Sequence, residues 1–482
     1  MKRLLACFLI VFLSVSLFAC NTANSDDTPS QQNTTDSSST EAATTEDRSA
    51  LDDLGNFDFE EHEFKILNRM SDGWTQARLD FAELTGELFD DEVFLRNRKL
   101  EDRFNIKISM VETTNHTAAR PILLAGTNDY DLYTSRNAEV FTFAQEGIVN
   151  SISDLEYIDL SKKYWNDFLT SQYTIVGKQY FAIGDFDFSS LDYCFVMVFN
   201  KQLLQNYGLD DPYQLVKNGT WTYDNFAEMC KAGTIDLDGN SVMDNKDAWG
   251  FVCRSSDVLP GFWVGGGVTA AAKDKDDIPQ NMMGTEKFIS AIDKIFDAMY
   301  ANNTYLSAPS DDMKGNLFTS GDILFYGTTL FNLKFLRNME TDFGILPYPK
   351  LTEEQELYYT RLGGGELFFT AKSASKDDLD RTGIILEAMA CESRKTCLPA
   401  YYDLMLKTKL ARDVESEEII DDIVGHRVLD WIDNLWVTEL RDGSLANMFR
   451  NKTNTIVSLN DSMDSIFTVK RDKMVEAFLL LP

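Results

Sequence analysis

Histidine is scarce in this chain, with three among 482 residues, and cysteine is limited to seven. His62, His116 and His426 are scattered, and no cysteine pair has the Cys-x-x-Cys spacing, which argues against a zinc site. Basic residues are in deficit as well. Against 77 Asp and Glu stand 45 Lys and Arg, a formal net charge of −32, which argues against binding nucleic acid or adhering to anionic lipid. Beyond the amino terminus no stretch of eighteen apolar residues occurs, so the folded part reads as water-soluble, touching a membrane only through an attached lipid.

What is present begins with Lys2-Arg3 and an apolar run from Leu4 to Phe18, too short to span a bilayer and correctly flanked for a secretory signal, 1–19. Leu17-Phe18-Ala19-Cys20 resembles the bacterial lipobox, which implies diacylglycerol on Cys20, acylation (palmitate) of the new amino terminus and attachment to the cell membrane from outside. An ordinary signal peptide with a chance cysteine is the plainer reading. The following Ser, Thr, Asn, Gln and Asp cannot bury enough surface to fold, so 20–56 is a lipidated cysteine plus tether. As a flexible coil of thirty residues it reaches on the order of 30 Å. Five cysteines remain: Cys194, Cys230, Cys253, Cys391 and Cys397. The number is odd, so at least one stays free; Cys391 and Cys397 either pair or are two buried thiols.

The remaining ~430 residues exceed what one core serves, so two domains are expected. Strands at 64–67, 106–111 and 130–133 alternate with helical patterns at 79–104, 117–125 and 138–146. That alternation predicts an α/β fold with a parallel sheet covered on both faces. Ligands of such sheets gather at the carboxyl ends of strands, which makes Trp74 and Arg136 cleft candidates; Arg136 either holds a carboxylate or pairs across the surface. The run 194–199 reads as a fully buried strand, and a helix ends at Gly208. Thr222 is a predicted N-cap, with Trp221 and Phe226 as a hydrophobic staple, so Trp221 is structural.

After that helix, Asp236, Asp238, Asn240, Asp244 and Asp247 place oxygen ligands at loop positions one, three, five, nine and twelve, with the Val242 carbonyl at seven. This is the spacing by which one short loop wraps calcium. Ser241 stands where glycine is usual and Asp247 where glutamate is. A loop of Asx turns with solvated carboxylates is the alternative.

Residues 198–201 (VFNK), 218–226 (NGTWTYDNF), 247–251 (DAWGF), 318–325 (FTSGDILF) and 343–350 (FGILPYPK), in this order, resemble extracellular solute-binding proteins, family 1, which feed sugars to ABC transporters. The segment 399–403 (PAYYD) with Lys407, Lys409, Arg412, Asp413 and Glu415 is similar to one in anaerobic-bacterial members; the last forty residues find no match. The resemblance implies a two-lobe periplasmic-binding-protein-like (type II) fold with an interlobe hinge and cleft. One lobe is 57–190 plus 345–395, the other 191–344 plus 396–482. It further implies a monomeric non-enzyme that needs no cofactor and delivers a carbohydrate, an oligosaccharide, to permease subunits.

A sugar receptor needs flat aromatics and a few fixed polar groups. Trp263, within 261–267 (GFWVGGG), is placed where glycines permit close approach to a ligand. Phe186 and Asp187 precede the first crossing between lobes; Tyr326 and Glu366 flank the return, Glu366 directly after Gly363-Gly364-Gly365, itself a plain turn or part of the site. Trp431 completes the ligand set, and of Trp431 and Trp436 one is assigned to helix core. A secreted glycoside hydrolase is the alternative function; so is the same fold binding peptides or presenting a ligand to a sensor.

Overall fold

Two β-sheets organise the chain, and each is assembled from segments far apart in sequence. The computed structural model describes residues 51–70, 78–402, 406 and 411–482, without the side chains of 311, 312 and 314. Trp74 and Cys20 lie outside the described residues, as do Asp403, Lys407 and Lys409.

The first sheet has the order β12-β3-β1-β2, with β1 His62–Arg69, β2 Ile106–Thr113, β3 Leu132–Arg136 and β12 Glu366–Phe369. β1 runs parallel to both neighbours, whereas β12, which returns from far along the chain, is antiparallel to β3. Alternate side chains of β1 enter different cores. Phe64 and Ile66 pack with Leu100 and Phe104 of helix α1 (Leu88–Phe104) and with Ile385 and Met389 of the helix Lys376–Lys395. On the opposite face Leu67 and Tyr133 join Leu123 of α2 (Ala119–Ala125) and Val140 and Phe143 of α3 (Asn137–Gln145). Burial of each such side chain contributes roughly 1.5–3 kcal/mol, which is why the sheet must be covered on both faces.

α1 begins nine residues later than the apolar pattern suggests. Gly86 adopts φ +81°, and Asp91 Oδ1 accepts the amides of Thr85 (2.8 Å) and Gly86 (3.1 Å), a turn that holds the preceding chain out of the helix.

The second sheet has the order β10-β4-β9-β5-β8 and is mixed: β4 Phe195–Asn200, β5 Trp249–Cys253, β8 Tyr305–Ser307, β9 Ile323–Thr329 and β10 Phe343–Leu346. β5 is parallel to β8 and β9, while β4 is antiparallel to β9 and β10. Every residue of β4 is buried. Residues 345 and 346, expected to open the return into the first lobe, are instead the end of β10; the first sheet is re-entered at β12. Two short ladders complete the set, β6 Ala271–Lys273 with β7 Pro279–Asn281, and β11 Thr360–Arg361 with β13 Arg427–Val428.

The helix Tyr223–Ala232 starts as its sequence dictates. Thr222 Oγ1 accepts the Asn225 amide at 3.5 Å, and the Trp221 and Phe226 rings meet edge-on at 6.0 Å. The final long helix, Ile456–Leu480, packs Phe478 against Phe141 of α3, while its Asn460 and Asp464 side chains meet Asn281 of β7. Both sheets lie in one compact unit, residues 47–482. All five described cysteines are buried thiols, so Cys391 and Cys397 do not pair.

Candidate functional site

The carboxyl ends of parallel strands from both sheets open into one cavity of about 530 Å³. β1 ends there at Arg69 and β3 at Arg136; Glu366, first residue of the antiparallel β12, stands opposite Arg136 in the ladder. Across the cavity β5 ends at Cys253, so that Arg254 and the first turn of the helix Ser255–Gly265 enter the wall. Phe195, which starts β4, is paired with the last residue of β9, Thr329, and joins the same wall. This is where an open α/β sheet presents its ligands.

The chain crosses the cavity floor from β11 to β12. Arg361 is almost fully buried there and forks onto Asp433, Nε to Oδ2 and Nη2 to Oδ1, both at 2.7 Å, with Nη1 3.2 Å from Asp257 Oδ1. Its guanidinium lies 3.9 Å from the centre of the Phe195 ring. Arg441 Nη1 donates to the same Asp433 oxygen, Oδ1, at 2.9 Å. Burial opposes ionisation of Asp433, but the two guanidinium groups prevail and hold its pKa below the ordinary carboxylate value. Gly364 and Gly365 then take φ +134° and +149°, open only to glycine, and a Cβ on Gly363 would sit 2.3 Å from the Phe195 ring. The glycine run thus lets the crossing strand pass flat over an aromatic face.

At the first-sheet wall Arg69 Nη1 donates to Glu366 Oε1, while Arg69 Nε and Glu366 Oε2 have no hydrogen-bond partner among the described residues. Burial pushes the Glu366 carboxyl up to about 8, Arg69 pulling it the other way. Arg136 forks onto Glu139 one turn along α3, its Nε 3.0 Å from Oε2. The final helix supplies Lys470, 2.8 Å from Glu439 at the cavity rim.

Of the residues singled out in the sequence, Arg136 lines this cavity and Glu366 reaches it through Arg69. Trp263 does not line it. It is fully buried inside the helix Ser255–Gly265 against Phe288, and the neighbouring glycines serve packing: a Cβ on Gly261 or Gly265 would lie 2.6 or 2.7 Å from Tyr348. Tyr326 is buried against Phe318, and Trp431 edge-on against Phe141. Trp436 is likewise buried, against Phe467. Phe186 packs on Trp165 and Phe368. Asp187 lines a separate cavity of about 220 Å³ and accepts the Ser189 amide (3.0 Å) and hydroxyl (2.6 Å), while burial raises its pKa to about 6. Tyr193, Phe195, Arg254, Arg361 and Asp433 went unnamed in the sequence reading. Position just beyond a strand end would have marked Arg69 and Arg254; nothing local marks Arg361 and Asp433, which meet across 72 residues.

In the Asp-rich loop, carboxylate oxygens of Asp236, Asp238 and Asp247 lie within 4.8 Å of one another, close enough to share a hard cation. Ser241 has φ +66°, the conformation for which glycine is usual at that position. The loop is also self-satisfied. Asp236 accepts the amides of Gly239 and Ser241, Asn240 that of Val242, Asp244 that of Lys246, and Asp247 those of Leu237 and Asp244. The amides of Asp244 and Leu237 lower the Asp247 pKa.

No family model and no curated protein matches the chain. Solved structures do. UgpB from Mycobacterium tuberculosis in complex with glycerophosphocholine is similar over 86% of this chain and 99% of its own, at 15% identity and a TM-score of 0.58. The ABC substrate-binding protein Lmo0181 from Listeria monocytogenes, in complex with cycloalternan, matches over 85% and 99%, at 13% identity and 0.57. A cyclo/maltodextrin-binding protein complexed with maltotetraose matches over 87% and 98%, at 12% identity and 0.57. The chain therefore has the two-lobe α/β fold of the substrate-binding proteins of ABC transporters.

Proposed function

We propose that this protein captures a carbohydrate in the cavity between its sheets and delivers it unchanged to ABC transporter permease subunits, as a monomer held outside the membrane by lipid on Cys20. One observation carries the reading: strands of both sheets end on a single cavity whose floor is a chain crossing. A ligand touching both walls favours the closed arrangement through contacts absent when the walls part, and a transporter docks on that closed form. Polar side chains in fixed ion pairs, with Tyr193 beside them, suit the hydroxyl rim and C–H faces of a sugar. Cycloalternan and maltotetraose, the ligands of two of the similar structures, support the same class, whereas UgpB holds glycerophosphocholine.

A hydrolase finds less support. Asp433 is tied to Arg361 and Arg441, which hold its pKa below the ordinary carboxylate value and keep it ionised rather than ready to donate a proton. The Asp-rich loop is assigned a structural calcium ion, held by Asp236, Asp238 and Asp247, with no part in ligand capture. Isothermal titration calorimetry of the purified chain against an oligosaccharide panel tests the main reading; heat of binding to at least one saccharide supports it, and none with any saccharide contradicts it.

A further inference from the structure

The chain carries far more acid than base, 77 residues against 45, yet the described lining of the cavity between its sheets reverses the balance. Among the described residues six cations line it: Arg69, Arg136, Arg254, Arg361, Arg441 and Lys470. The four acids that line it among the described residues are committed to some of these, and Arg254 also has an interaction of its own. Asp433 is shared between Arg361 and Arg441, Asp257 lies against Arg361, Glu139 holds Arg136, and Glu439 holds Lys470. Glu366, the partner of Arg69, sits behind the wall, where burial weakens it as a counter-charge near neutral pH.

Arg69 is more than nine-tenths buried, and its Nε has no hydrogen-bond acceptor among the described residues. A buried donor of this kind costs free energy until something accepts from it. Two helices add to the positive field. α3 and Ser255–Gly265 both begin at the cavity, with Arg136 and Arg254 at N-cap positions that their own side chains do not cap; Asn137 Oδ1 accepts the Ala138 amide at 2.9 Å, and Glu139 and Asp257 stand in the two first turns. Each amino end carries about half a positive charge. Guanidinium forks match the planar oxygens of a carboxylate, sulfate or phosphate better than they match a neutral hydroxyl.

We propose that the ligand is an acidic saccharide, carrying a carboxylate or a sulfate or phosphate ester, whose anionic group is held by Arg69 and Arg136 on one wall and Arg254 on the other. This rests on the saccharide reading above. The acidic exterior and cationic interior then work together: the field of the surface repels non-specific anions, and only a ligand that reaches the cavity gains the charge contacts.

The test is calorimetry on the full chain with oligogalacturonides, sulfated glycosaminoglycan disaccharides, hexose phosphates, their uncharged counterparts and inorganic phosphate alone. At least one acidic saccharide binds about tenfold or more tightly than its neutral counterpart, and its affinity drops severalfold between 50 and 500 mM salt. Which acidic series binds separates carboxylate from ester. Arg136→Gln and Arg254→Gln each weaken that ligand about tenfold or more, with Arg254→Lys recovering part, while thermal melts show whether each variant folds. Salt dependence in the unmodified protein stands independently of the variants. Equal or tighter binding of the neutral counterpart, insensitive to salt, overturns the inference and leaves the saccharide reading standing. Binding of inorganic phosphate without any saccharide overturns both, as does the absence of all binding.

Discussion

Arg361 and Asp433, 72 residues apart, meet in a two-pronged ion pair at 2.7 Å that ties the crossing strand to the segment after β13. Both are almost completely buried. Removing one partner strands a charge in low dielectric, so Asp433→Ala is expected to destabilise by about 3–5 kcal/mol in urea denaturation. The double variant Arg361→Met with Asp433→Leu should lose less than the sum of the two single losses, because the paired charges leave together, while Asp257 and Arg441 each give up one partner. A loss equal to that sum would show that packing, not charge, dominates the floor.

Glu366 gives the protein a pH dependence of known sign. Its folded value, about 8, lies above its ordinary value of 4.5, so the folded state holds the proton more tightly. The stability it contributes is complete below pH 4.5 and is lost as pH rises through 8. Asp430, raised to about 7 by burial and by Asp433, and Asp187, raised to about 6 by burial, act in the same direction. Melting temperatures should therefore fall between pH 5 and 8. Glu366→Gln should flatten the upper part of that slope, by up to about 1.4 kcal/mol per pH unit.

Calcium should raise the melting temperature through the loop of Asp236, Asp238 and Asp247. At a hundredfold excess over its dissociation constant an ion adds about 2.7 kcal/mol. Asp236→Asn should abolish that increment while changing the calcium-free melt little. An unchanged melt in millimolar calcium would leave the loop as a set of turns.

Cys20→Ser should move the protein from the membrane fraction to the medium when it is expressed in a lipoprotein-processing bacterium. Retention of the variant in the membrane fraction would count against lipid attachment.

The first sheet was legible because its strands and helices are local, each with its own periodicity: β1, β2 and β3, α2 and α3 all fall within a few residues of their expected places, as does the Thr222 cap elsewhere in the chain. α1 was overextended because the Thr85-Gly86 turn interrupts a pattern that stays helical on paper. Trp263 shows where composition misleads. Glycines beside a tryptophan signal close approach, but the approaching group is Tyr348 rather than a ligand. Arg136 and Glu366 could be read from their places at strand ends and crossings. The Arg361–Asp433 pair could not, since burial of charge depends on contacts that no local pattern records. Nor did the last forty residues announce that Lys470 would return to the cavity rim.

The most direct test is a crystal structure of the chain grown with a pooled set of neutral and acidic oligosaccharides. The account predicts one saccharide in the cavity between the two sheets, touching Arg69 or Arg136 from one wall and Arg254 or Tyr193 from the other. A saccharide bound elsewhere on the molecule, with this cavity left to solvent, would contradict it.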